Sequence, residues 1–226
     1  MPNVMTDPTF FPRRINSYVP AMAYSSDVNW NGVTRINFGA PLAANATSIA
    51  NAQNIAVAGT FDVSANGNIA DKYGRTLSIV ASGASTASVS VIGQDYLGQP
   101  IREDFTMNGA TPVPGKKAFK TVNSIVVNTV TAGTTVNLGT GAGLGLPYKA
   151  LRAEWETANG AAVAAGTLTA PVLTDPQTAT SGDPRGTYAP TTTLNGTNII
   201  TAAFSFVNDV NTANNGGLHG IRHYAA

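Results

Sequence analysis

Between Tyr73 and Tyr148, short apolar and small polar residues alternate in runs broken by turn signals. That period of two is the mark of antiparallel strands with one buried and one wet face. Leu77, Ile79 and Ala81 share one face of a strand, with Thr76 and Ser78 on the other. Val89 and Val91 repeat the pattern against Ser88 and Ser90. Asp95-Tyr96-Leu97-Gly98 reads as a tight turn, because Asp starts turns and Gly accepts positive φ. Ile101, Phe105 and Met107 continue the return strand, and Pro100 belongs at its start or on an edge. Residues 108–115 read as a Pro/Gly loop, and 122–130 and 134–138 as two further strands.

The flanking regions are less regular. Five prolines fall within residues 1–41, with aromatics Phe10, Phe11, Tyr18, Tyr24, Trp30 and Phe38 among them. Prolines suppress helices and central strands, whereas disordered tails are poor in aromatics. An extended arm that buries its aromatic anchors meets both conditions, against its own domain or against a neighbouring subunit; the second is favoured. Within the arm, 33–38 reads as a first strand, with Val33, Arg35 and Asn37 opposite Thr34, Ile36 and Phe38. Residues 43–58 read as an Ala/Asn loop leading into a strand over 54–63. Beyond Tyr148, strands are expected over 151–156 and 199–207, a soft hairpin over 160–171 and a long loop over 175–190. Gly182-Asp183-Pro184-Arg185-Gly186 should form a turn within that loop. The expected organisation is an arm (1–41), a main antiparallel β-sandwich or jelly-roll-like body (42–150), and a C-terminal β region (151–226). The last completes the sandwich or forms a small second domain.

The side-chain inventory excludes much chemistry. The 226 residues include no cysteine, so disulfides, thiolate metal sites and thiol nucleophiles are out. A formal net charge of +1 gives no basis for non-specific nucleic-acid binding. No apolar run is long enough to span a bilayer, and the first residues lack the pattern of a signal peptide, which points to cytoplasmic synthesis. The glycines of 139–145 lack both the dinucleotide fingerprint and a following Lys-Ser/Thr; they fit close backbone passage instead. His219 and His223 have no third ligand in sight. Glu154 and Glu156 would share a strand face beside Trp155, as a solvated edge or, less simply, as a sugar site. No catalytic, cofactor or metal residues are expected. Arg102, Lys116, Lys117 and Lys120 form the one basic group, a contact for an acidic partner or a solvated rim.

The order GRTLSIVASG, VSVIGQDYLGQPIREDFT, KAFKTVNSIVVNTVTAGTTVNLGTG and GLPY over residues 74–148 resembles a module of structural proteins in tailed bacteriophages. Weaker likeness extends to 46–63 and 181–188. The resemblance implies a non-enzymatic virion protein, made in the host cytoplasm and placed on the capsid surface. The favoured form is a decoration or cement protein, a dimer or trimer that binds the major capsid protein and needs no cofactor, nucleic acid or membrane. Interface contacts are then expected from Phe10, Phe11, Arg13, Arg14, Tyr18, Tyr24 and Trp30 of the arm, and from Lys116, Lys117 and Lys120. A tail, tail-tube or head–tail connector component is the alternative, and a glycan-binding module built on Trp155 a third.

Overall fold

The computed structural model describes residues 30–147, 149–172 and 178–208. Among them the protein is all-β, with one short 3₁₀ turn at Ser64–Asn66 and no α-helix. Its strands are Trp30–Gly39 (β1), Asn45–Asn54 (β2), Gly59–Asp62 (β3), Arg75–Ala81 (β4), Ser88–Gln94 (β5), Pro100–Thr106 (β6) and Val113–Phe119 (β7). They continue with Thr121–Val127 (β8), Thr135–Gly145 (β9), Arg152–Ala158 (β10), Ala161–Val163 (β11), Thr167–Thr169 (β12), Thr187–Ala189 (β13) and Ile200–Asn208 (β14). All pairings between these strands are antiparallel.

Two sheets form a sandwich. One runs β12-β13-β9-β4-β7, with β2 also paired to β9; the other runs β3-β8-β5-β6. The alternating residues meet between them: Leu77 and Ile79 from β4, Leu138 from β9, Val89 and Val91 from β5, and Ile125 from β8 are all buried in one cluster. Burying side chains of this kind stabilises by roughly 1.5–3 kcal/mol each before entropy is counted. β7 belongs to the first sheet and β8 to the second, so the chain changes sheets at Lys120.

A third sheet, β1-β14-β10-β11, pairs the first described strand with the last. Residues 30–39 are therefore a strand paired with β14. Inward-facing Ile36 and Phe38 pack with Tyr188, Ile200, Ala202 and Phe204. Leu144 and Leu146, at the far end of β9, join that second cluster, while Val136 and Leu138 of the same strand sit in the first. β9 therefore contributes to both cores.

The strand β2 replaces the loop expected over 43–58. Its alternation is hidden because only Ile49 and Ala50 are buried and Ala52 sits at φ 52°. Its pairing with β9 needs Gly139, where an added Cβ would lie 1.8 Å from the Asn45 carbonyl oxygen. We expect Gly139→Ala to push β2 off β9 and cost about 1–3 kcal/mol in urea unfolding. Gly83→Ala, with nothing within 4 Å of its Cβ, should be close to neutral. β7 likewise begins inside the loop expected over 108–115, with Pro114 and Gly115 as strand residues. The edge position of β7 accommodates that proline.

Candidate functional site: a partner interface

Of the arm residues expected at an interface, Phe10, Phe11, Arg13, Arg14, Tyr18 and Tyr24 lie outside the described residues, as do His219 and His223. Trp30 opens β1, where its backbone pairs with Asn208.

The three lysines do not form one surface. Lys116 is exposed and its Nζ donates to the Thr180 carbonyl at 3.3 Å. Lys120 is half-buried and clamps the 69–71 segment, donating to the carbonyls of Ile69 at 2.7 Å and Asp71 at 3.0 Å. Lys117 is 0 % exposed, which corrects its placement on a contact surface. Its ammonium donates to the Arg102 carbonyl at 3.0 Å and the Thr178 carbonyl at 2.7 Å.

Lys117 belongs to a buried polar seam. Glu103 lies on the core face of β6 between Ile101 and Phe105, 3 % exposed. Its carboxylate accepts the backbone N–H groups of Lys116 and Lys117. These donors are turned toward it by a bulge where β7 carries extra residues opposite Leu77. Burial pushes the Glu103 carboxyl up to about 7, against the pull of those N–H groups and of the Lys117 charge, with Asp183 adding to the rise. Burial brings Lys117 down to about 8, opposed by Glu103, Asp183 and Asp104.

Asp183 holds the turn expected at 182–186. Its carboxylate accepts the N–H of Arg185 at 2.8 Å and reaches across to the N–H of Ala118 at 3.0 Å. Arg185 then pairs with Asp95 at 3.1 Å, both nearly sealed from solvent. Asp95 also closes the 95–98 turn by accepting the N–H groups of Leu97 and Gln99. Gly98, at φ 77°, supplies the left-handed position that this turn requires. The Arg185 guanidinium lies 5.1 Å from the centroid of Tyr96, whose hydroxyl donates to the Pro147 carbonyl. The seam thus fastens the C-terminal turns to the sandwich.

Glu154 and Glu156 do not share a face. A bulge in β10 between Ala153 and Trp155 resets the alternation. Glu154 sits outward with Arg152 at 2.6 Å. Glu156 points inward, 0 % exposed, and accepts from the Tyr188 hydroxyl at 2.6 Å and the N–H groups of Thr191 and Thr192 at 3.0 Å. Burial alone would raise its carboxyl pKa, but these hydrogen bonds outweigh burial and hold it below the usual range. Burial and the neighbouring carboxylate raise the Tyr188 phenol. Glu156 is thereby a tie between the third sheet and the 187–192 segment, and the pair is not arranged for acid–base work on a sugar.

The surface that remains open is the outer face of the third sheet. Val33, Ser205 and Arg152 form one row across β1, β14 and β10; Arg35, Ala203 and Trp155 form the next. The Arg35 guanidinium lies 5.7 Å from the Trp155 ring centroid, and Ala203 between them is 1 % exposed. Trp155 keeps 39 % of its surface exposed and Val33 57 %, with exposed Leu151 at the rim. β1, ten residues long, is the edge of this sheet among the described strands. A long unpaired edge offers N–H and C=O groups to another chain. Sequence reasoning missed this patch, although it set Val33 and Arg35 together on the face opposite Ile36 and Phe38. The signal was the alternation of 33–38 combined with Trp155. Among the described residues, no three His, Cys, Asp or Glu side chains gather to hold a metal ion.

The chain matches no protein-family model, no curated protein and no solved structure. Fold and surface therefore define its class: an antiparallel β-sandwich whose third sheet leaves an apolar and cationic face exposed.

Proposed function

We propose that this chain is a non-enzymatic structural protein of a tailed-phage virion, acting as a decoration or cement protein on the capsid. The observation that carries the reading is the open face of Val33, Arg35 and Trp155 beside the ten-residue edge strand β1. Interfaces favour such a combination of exposed aromatic, Arg and aliphatic groups. The motifs of residues 74–148 support the same assignment through their resemblance to phage structural modules. β1 is also continuous with the aromatic-rich N-terminal segment, so sheet face and arm can engage coat subunits together. Many weak contacts repeated over a symmetric shell then sum through avidity. The protein acts mechanically, bridging coat subunits where they meet.

Deleting residues 1–29 should abolish binding to purified shells while leaving the melting transition of the β body intact. The deletion stops before β1, whose removal would strip β14 of a partner. Co-sedimentation with shells and a thermal melt read the two effects separately. Undiminished co-sedimentation of the truncated chain would remove the arm from the mechanism.

A further inference from the structure

A sheet edge leaves the N–H and C=O groups of alternate residues unpaired, and folded proteins protect such edges with short strands, proline, bulges or a covering segment. Every described edge but one has such protection. β3, β11 and β12 have four residues or fewer. β2 is broken by two register shifts along β9. β7 carries Pro114 and a bulge against β4. β6 opens on Pro100, and its Asp104 N–H donates to the Ala179 carbonyl at 2.9 Å. β1 is the exception. It is ten residues long, has no proline, and keeps a regular register with β14 from Trp30 to Asn37. Its single charge, Arg35, is turned along the outer face toward Trp155. Among the described strands, β14 alone pairs with it.

The strand that fits this edge is β1 of a second copy. A two-fold axis brings the same stretch together from both chains, so the lengths match with no further element. Continuing the sheet requires paired residues to share a face, so their numbers must have the same parity. Few registers remain. Pairing centred on Arg35 sets two guanidiniums opposite each other, which is unfavourable. Pairing centred on Val33 or on Ile36 shortens the overlap to 30–36 or 33–39. Pairing centred on Thr34 engages 30–38, nearly all of the regular stretch, and sets Val33 opposite the partner's Arg35. Val33 and Arg35 are both exposed, so they meet without unpacking either body.

We propose that two copies of this chain pair through β1, antiparallel about a two-fold axis at Thr34, joining their third sheets into one. The open faces of Val33, Arg35 and Trp155 then lie side by side on a single continuous surface. The pairing belongs to the free chain in solution, so it goes beyond the capsid reading and does not depend on it.

Sedimentation equilibrium of the full chain at micromolar concentration, with no shells present, should show a reversible dimer. Val33→Lys sets a like charge against the partner's Arg35 twice per dimer and should weaken it by roughly tenfold, whereas Val33→Glu should leave it as tight or tighter. Because Val33 is exposed, neither change should disturb folding. The chain has no cysteine, so Thr34→Cys introduces a lone thiol, and a mild oxidant should link two such chains across the axis. A chain that stays monomeric overturns the proposal and leaves the edge to a segment of the chain itself or to a coat strand. A dimer that Val33→Lys forms as tightly as the wild type, or in which Thr34→Cys does not link, overturns it as well.

Discussion

Asp95→Ala is expected to cost about 3–5 kcal/mol, the range for removing one partner of a buried ion pair. The substitution strips Arg185 of a carboxylate 3.1 Å away and the N–H groups of Leu97 and Gln99 of their shared acceptor. Asp95→Asn keeps an oxygen for the turn and should fall between Asp95→Ala and the wild type. Replacing both partners, as Asp95→Asn with Arg185→Met, should cost less than the sum of the single changes, since no lone charge is left behind. Urea unfolding reads all four chains. Because Arg185 precedes β13 and Asp95 follows β5, the loss should appear first as loosening of the C-terminal turns. An Asp95→Ala chain within 1 kcal/mol of wild type (roughly the worth of a surface pair) would show that the seam does not hold these parts together.

The second large effect depends on pH. Glu103 has its folded pKa raised from 4.5 to about 7. The folded state therefore holds a proton that the unfolded chain releases between these values. Stability should fall as pH rises from about 4.5 to about 7, by a total on the order of 3 kcal/mol. Lys117 has its folded pKa lowered from 10.5 to about 8. There the unfolded chain binds more protons, so stability should rise again from about pH 8 to about 10.5. The expected profile is a trough near neutral pH. Glu103→Gln keeps an acceptor for the Lys116 N–H and cannot ionise, so it should erase the acid-side slope. Denaturant midpoints at pH 5, 7.5 and 10 check this, and a Glu103→Gln profile parallel to the wild type would refute the assignment.

Alternation located the strands wherever one face was buried and the other wet. β4, β5 and β6 follow it most closely; β8 breaks it at a bulge between Val122 and Ser124, and β14 puts Ile200, Ala202 and Phe204 in the second cluster while Thr201 and Ala203 on its other face are covered too. β2 escaped because an irregular strand with two buried residues carries no period. The pairing of β1 with β14 joins opposite ends of the chain, and no local pattern encodes such a contact. The buried charges were legible in part. Parity sets Glu103 on the face of Ile101 and Phe105, and a carboxyl there demands partners. Its partners could not be read, because the bulge in β7 turns the Lys116 and Lys117 N–H groups inward against simple alternation. A bulge likewise separated Glu154 from Glu156.

The most direct test of the virion assignment is electron microscopy of intact particles labelled with an antibody to this chain. Label spread over the head surface is the predicted result. Label confined to the tail or to one vertex would transfer the protein to the tail or connector, and particles with no label at all would contradict a virion role.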